Sequence, residues 1–198
     1  MKKIIFRLIY LLLIFIILFL CYFSIFGFET KKLNNQVQNK VKNINQDLEI
    51  ELNKIKLIFD PLKLQIKAKT LGAKLKHNNE TISFGDIQTK ISLLSLIENK
   101  FLLTDVKAST KSIEVKNLVL FIQSLNQSAE LIIFEKFIKK GYLIADIKLN
   151  FDENGNLKDN FKINGFIKDV KINIINKYKI KNLNFIFNLQ KEELKIND

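Results

Sequence analysis

The chain has 198 residues and a formal charge of +12, with Lys, Asn and Ile filling 84 positions (31, 22 and 31) against one Arg, one Pro and no Trp. That skew reads as AT-rich codon choice as much as function, so the positive charge is discounted as a functional signal. A single Cys and a single His exclude a disulfide scaffold and the ordinary zinc sites, and a conventional soluble enzyme is disfavoured from the outset.

Leu8 to Phe28 is an uncharged run of 21 residues, 16 of them Leu, Ile or Phe. As a helix it is roughly 31 Å long, close to the hydrocarbon thickness of a bilayer. A signal peptide has a shorter apolar region and small residues at its cleavage site. Here Cys21 to Phe28 offers no such pattern, and Leu18-Phe19-Leu20-Cys21 is a poor lipoprotein box. The expectation is an uncleaved anchor. Lys2, Lys3 and Arg7 precede it and Lys31, Lys32, Lys40 and Lys42 follow, so local charge does not set orientation. The short cationic tail favours a cytoplasmic N-terminus, which puts residues 29–198 outside the cytoplasm.

Leu33, Val37, Val41, Ile44 and Leu48 keep helical spacing and predict that the anchor continues as a stalk over 29–46. The period then changes from 3.6 to 2. Leu48, Ile50 and Leu52 alternate with acids, the phase slips at Asn53-Lys54, and Ile55, Leu57 and Phe59 resume it, the signature of a bulge. Asp60-Pro61 predicts a turn, and a strand is expected from Leu62 through Leu64, Ile66 and Ala68. Ala73, Leu75 and His77 lead to a turn at Asn78-Asn79, then to Ile82, Phe84 and Ile87. His77, at a strand end, is read as solvent-exposed.

Ser92 to Ile97 predicts a short helix, and strands are expected at Phe101–Val106 and Ile113–Val115. Asn117–Leu125 and Ser128–Lys139 read as helices, the second capped by Asn126 or Ser128 with Ala129, Ile132, Ile133 and Phe137 on one face. A hairpin competes for Leu131–Ile138. From Gly141 the alternation is nearly pure: Leu143, Ala145, Ile147, Leu149 and Phe151, then Phe161, Ile163, Gly165 and Ile167, then Val170, Ile172 and Ile174. Turns at 152–156 and 176–177 separate these from Leu183, Phe185, Phe187 and Leu189; Leu194 and Ile196 open a last strand. Such strands predict an antiparallel meander with one wet face. The terminal strand either pairs with another protein by edge addition or belongs to a longer sheet.

Catalytic patterns are missing: no Gly-rich phosphate loop, no G-x-S-x-G and no H-E-x-x-H. Glu49 and Glu51 fall on the wet face, and spacing suggests no Ser or Cys partner for His77. The expectation is no enzyme, no cofactor and no metal. Nucleic acid is disfavoured too, because residues after the anchor carry 29 Lys, evenly spread, and no Arg.

The order of features resembles the N-terminal region of the AsmA-like family (the AsmA, TamB and YhdP type). The likeness rests on the anchor followed by Leu33-Asn34-Asn35-Gln36-Val37-Gln38, and on the strand, short helix and returning strand across Ile87 to Phe101. It rests further on Val106–Val115 and on the Gly141–Leu149 strand with Gly155 and Gly165. The resemblance implies an inner-membrane, single-pass protein whose bulk lies in the bacterial periplasm. It also implies a long curved sheet forming an apolar groove linked to phospholipid movement and outer-membrane integrity. LptC-like proteins, with one anchor and a periplasmic β-jellyroll, are a second resemblance, although 117–139 has no natural place in that jellyroll.

The fold expected is therefore mainly β with an N-terminal transmembrane helix: a curved, groove-like antiparallel sheet with a few short helices. It divides into tail and anchor (1–28), helical stalk (29–46) and a periplasmic β domain (47–198) with a helical insertion at about 117–139. The function expected is binding or guiding of phospholipid acyl chains, with membrane lipids as partners and other envelope proteins by β-edge addition. Candidate groove residues are Leu62, Leu64, Ile66, Leu143, Ile147 and Leu149, with Phe151, Phe185 and Phe187. The alternative is a membrane-tethered, non-catalytic adaptor or assembly factor built as a closed β-sandwich.

Overall fold

The computed structural model describes residues 2–93, 103–152, 156–174 and 178–197, which form four helices and twelve strands. The fold is mainly β, one open antiparallel sheet preceded by an apolar helix. The closed sandwich considered above is not the architecture, because every strand joins a single sheet.

Helix α1 spans Lys2–Ile25, and Lys3–Ile25 is long and apolar enough to cross a membrane. It stops short of the expected Phe28. Gly27 adopts φ +68 and lies so close to the sheet that a Cβ there would sit 2.5 Å from the Leu57 carbonyl oxygen. The chain turns at this glycine, and β1 (Phe28–Thr30) pairs with β3 (Ile55–Asp60) through Phe28↔Leu57 and Thr30↔Ile55. The expected continuous stalk is instead a separate helix, α2 (Asn34–Ile44), laid against the sheet by Leu33 and Val37. Its amides satisfy strand carbonyls. Asn34 Nδ2 donates to Leu52 O (3.1 Å) and Asn53 O (2.8 Å), and Gln38 Nε2 donates to Ile50 O (3.2 Å). An edge that would otherwise present bare backbone groups is thereby covered.

The remaining strands are β2 (Leu48–Glu51), β4 (Gln65–Leu71), β5 (Lys74–His77), β6 (Glu80–Ser92), β7 (Leu103–Thr110) and β8 (Ile113–Glu114). Helices α3 (Val115–Leu125) and α4 (Ala129–Phe137) follow, and then β9 (Ile138–Asn150), β10 (Lys162–Ile174), β11 (Tyr178–Leu189) and β12 (Leu194–Asn197). The order across the sheet is β1-β3-β4-β6-β7-β9-β10-β11-β12, with β5 joining β2 to β6 and β8 beside β9.

The phase slip at Asn53-Lys54 is not local. Register runs unchanged through the gaps, as Glu51↔Lys74 and Ile55↔Thr70 show, and again as Lys74↔Ser83 and Leu71↔Asp86. Yet the inward positions step by three instead of two at one level of the sheet: Leu52 to Ile55, Thr70 to Ala73, Phe84 to Ile87 and Thr110 to Ile113. A second line of slips crosses β9 to β11, at Gly141, between Ile167 and Val170, and between Ile180 and Leu183. Gly141 (φ 150), Asp169 (φ 55) and Asn182 (φ 57) take the conformations these slips require, and Asp and Asn tolerate the left-handed region better than most side chains. Asn184 ties neighbouring slips together: its Oδ1 accepts from Asp169 N (2.8 Å) and its Nδ2 donates to Asn182 O (3.3 Å). Bulges bend strands and increase twist; on these two lines the register shifts that mark them lie between Phe84 and Asp86 and along the second line, whereas the first line crosses β2 to β5 with the register unchanged.

Both helices of the insertion lie on the inward face. Val115 and Val119 of α3 pack with Ile138, Leu143, Ala145 and Val170, and Phe121 packs with Ala73, Ile82, Phe84 and Ile113. Ser128 caps α4 by accepting from Leu131 N (3.3 Å). Leu131, not the expected Ile132 and Ile133, faces the core; those two stay 46% and 52% exposed. The strand expected over Ile113–Val115 gives way to α3 at Val115, and the strand expected from Leu62 begins at Gln65. The predicted helix at 92–97 falls almost wholly on residues outside those described, as do the turn at 176–177 and Phe101.

Candidate functional site

Alternation places one side chain in two on the inward face of each strand, and register aligns them across the sheet. One short row lies near the Asp60 end of β3: Phe59 opposes Ile66, and Ile66 opposes Ile91. A second row, apolar but for Thr70, crosses from β3 to β12: Ile55, Thr70, Ile87, Ala108, Ile147, Ile163, Leu189 and Leu194 oppose one another in turn, with Val106 opposite Leu149 one inward position away. A parallel row carries Ala145, Gly165, Phe187 and Ile196. Phe187 lies across Gly165, where a Cβ would meet its ring at 2.2 Å.

The cover over this face is uneven. Helix α2 lies over Ile55, Ala68 and Ile91, and α3 over the far ends of the strands. Val106, Leu149, Phe151, Phe185 and Leu189 are half-buried and, among the described residues, lie outside all three buried clusters. Leu194 and Ile196 are exposed. Polar groups on the face are few: Thr89 Oγ1 donates to Asp105 O (2.6 Å), Thr110 Oγ1 accepts from Ala145 N (2.9 Å), and Thr70 Oγ1 is buried without a hydrogen-bond partner among the described residues. Such a surface can hold hydrocarbon and offers little to a polar ligand.

The predicted groove residues divide three ways. Ile66, Ile147, Leu149, Phe151, Phe185 and Phe187 share the inward face and are half-buried. Leu143 is 7% exposed beneath α3 and is core, because the helix of the insertion seals that end of β9. Leu62 and Leu64 lie in the β3–β4 turn, 94% and 53% exposed. Asp60 Oδ1 accepts from Lys63 N (3.3 Å) and Leu64 takes φ 47, so the chain is still turning where alternation suggested a strand.

His77 is 4% exposed, contrary to the reading of it as solvent-facing. Helix α3 closes over it: Nδ1 lies 2.7 Å from Ser124 Oγ, and the ring meets Phe121 edge-on at 6.5 Å. Ser124 Oγ also lies 2.7 Å from Phe121 O, and Asn78 Nδ2 lies 3.4 Å from the same Nδ1, so the imidazole is held from both sides. This is a clamp between β5 and α3, not a serine poised for attack. No sequence spacing signals it, since the partners are 47 residues apart. Among the described residues no three His, Cys, Asp or Glu side chains gather as a metal site.

A cleft of about 590 Å³ opens at the first line of slips, lined by Lys31, Lys54, Lys56 and Lys69 with Glu29 and Asn34. Lys54 pairs with Glu29 (3.2 Å) and Lys69 with Asp86 (3.7 Å). What it offers an anion is the diffuse attraction of a basic surface. Elsewhere the carboxyl of Asp60 is held below its usual range by a hydrogen bond from Lys67 (ion pair 3.1 Å), and that of Glu51 by one from Lys76. Both are outward-facing partners of the kind that hold strand edges.

No protein-family model, curated protein or solved structure matches the chain. The likeness to AsmA-like and LptC-like proteins rests on the order of features in the sequence.

Proposed function

We propose that this chain is a single-pass inner-membrane protein of AsmA-like type, with its sheet in the periplasm. In this reading α1 is the anchor, and the inward face of the sheet binds or guides phospholipid acyl chains in support of outer-membrane biogenesis. The observation that carries it is the inward row running from Ile55 in β3 to Leu194 in β12, with Val106, Leu149 and Leu189 half-buried on or beside it and outside the buried clusters. Each methylene withdrawn from water onto such a face contributes about 0.8 kcal/mol, so an acyl chain needs no polar anchor there. The chain's own residues supply only shape and apolarity; no catalytic step is involved.

A photoreactive phenylalanine analogue at Leu149 or Phe185, activated in intact membranes, tests this. Phospholipid adducts from both positions, and none from the outward, exposed Lys148, are expected. Adducts from Lys148 alone, or from neither inward position, would refute it. A second reading, a non-catalytic adaptor, draws on an outward trio: Ile144, Phe166 and Ile186 oppose one another on three adjacent strands and are 49%, 41% and 50% exposed. Protein adducts from Phe166 with no lipid adducts from Leu149 would favour it.

A further inference from the structure

We infer that the β3–β4 turn, Pro61 to Leu64, is a second membrane contact, its leucines seated in the headgroup–acyl boundary of the bilayer that α1 crosses. The inference rests on the reading of α1 as an anchor.

Placement comes first. β1 runs antiparallel to β3, so stepping back from Phe28, opposite Leu57, towards Ile25 means travelling along β3 towards Asp60. The chain cannot swing away at once, because Gly27 is pressed against the Leu57 carbonyl and the Ile58 side chain. The turn that follows Asp60 therefore protrudes on the side of the sheet from which α1 departs. With about 3.4 Å per strand residue it lies roughly 10 Å beyond the Phe28–Leu57 pair. The end of α1 itself contacts β3, so the turn and the last residues of the helix lie along the same edge. Tyr22 and Phe26 stand there, stacked at 5.0 Å and both exposed, as aromatic residues do at membrane interfaces.

Composition comes second. A water-facing turn favours Gly, Asn, Asp or Ser, and the opposite tip of the same sheet, Asn78-Asn79, obeys this, with Asn78 at φ 52. At the α1 side the left-handed position is filled by Leu64 (φ 47), and the most exposed position by Leu62. Neither leucine joins a buried cluster among the described residues, so folding does not explain them. The turn is nevertheless held in shape: Leu93 N donates to Leu64 O (3.1 Å), and Asp60 accepts from Lys63 N. Its one acid is paired with Lys67 at 3.1 Å and only more weakly attracted by Lys63, whose exposed ammonium can meet anionic headgroups. Two apolar side chains, a lysine between them and a masked carboxylate suit an anionic bilayer surface.

The test uses the full chain in vesicles of phosphatidylethanolamine and phosphatidylglycerol. Cys21→Ser removes the only thiol, and Leu62→Cys or Asn79→Cys then takes an environment-sensitive fluorophore. Both sites are exposed, so neither label disturbs the core, and far-UV circular dichroism checks this. The expected result is blue-shifted emission at 62, quenched by lipids brominated on their acyl chains, and water-like, unquenched emission at 79. If the protein floats with vesicles and resists carbonate extraction while the probe at 62 behaves like that at 79, this inference falls and the anchor survives. If carbonate strips the protein from vesicles, the anchor reading fails and takes the inference with it.

Discussion

Gly141→Ala should be among the most damaging single substitutions in this sheet. Gly141 sits at φ 150, a conformation that costs other residues about 1–3 kcal/mol. A Cβ there would lie 2.7 Å from Val170 Cγ2, 3.2 Å from Val170 Cα and 3.3 Å from Val115 Cγ2. Both valines are buried, one in β10 and the other at the start of α3, so neither can swing aside, and the Cα moves only if β10 moves. Overpacking of this kind costs about 1–3 kcal/mol, while the loss of glycine's freedom in the unfolded chain returns about 0.4–1 kcal/mol. The net expected loss is about 2–4 kcal/mol. Gly85→Ala is the matched control, because a Cβ there meets only Ser109 O at an ordinary 3.6 Å; it should fall within about 0.5 kcal/mol of the parent. Urea unfolding of the full chain in detergent, followed by far-UV circular dichroism, measures both. A Gly141→Ala protein as stable as the parent, or a Gly85→Ala protein equally damaged, would refute the account of the second line of slips.

Ser128→Ala should cost about 1 kcal/mol, by removing the cap on Leu131 N, and Ser128→Asp should restore most of it in the same unfolding assay. His77→Ala should cost about 2–4 kcal/mol, through lost packing against Phe121 and a stranded Ser124, while leaving lipid adducts from Leu149 unchanged. The native carboxyl of Asp60 titrates below its unfolded value because Lys67 hydrogen-bonds the charged form. The stability this confers is full above the ordinary carboxylate range and is lost as pH falls through that range to the lowered native value. Asp60→Asn should flatten that part of the stability–pH curve, and a carbon-detected titration of the Asp60 carboxyl should show the lowered midpoint.

The period change after residue 47, the phase slip at Asn53-Lys54, the inward set from Leu143 to Leu189 and Ser128 as one of two cap candidates were legible in the chain. The bulge expected at that slip is absent, because the strand register runs through it unchanged. Each legible feature depends on neighbours two to four residues away, the range over which backbone periodicity and capping act. Leu62 and Leu64 were misread for the same reason: alternation continues through a turn as easily as along a strand, and only the Asp60–Lys63 hydrogen bond and the φ of Leu64 reveal the difference.

Local pattern thus determined that this is an apolar helix followed by strands with one greasy side. It did not determine what lies over that side. The burial of His77 and Leu143 under α3, the return of α2 onto Ile55 and Ala68, and the alignment of slips across neighbouring strands all join residues far apart in the chain. Helices cover one end of the face and leave the other half-open because α3 and α4 are anchored by Val119, Phe121 and Leu131 to the far ends of the strands. That is a decision of packing, and no periodicity along a single strand encodes it.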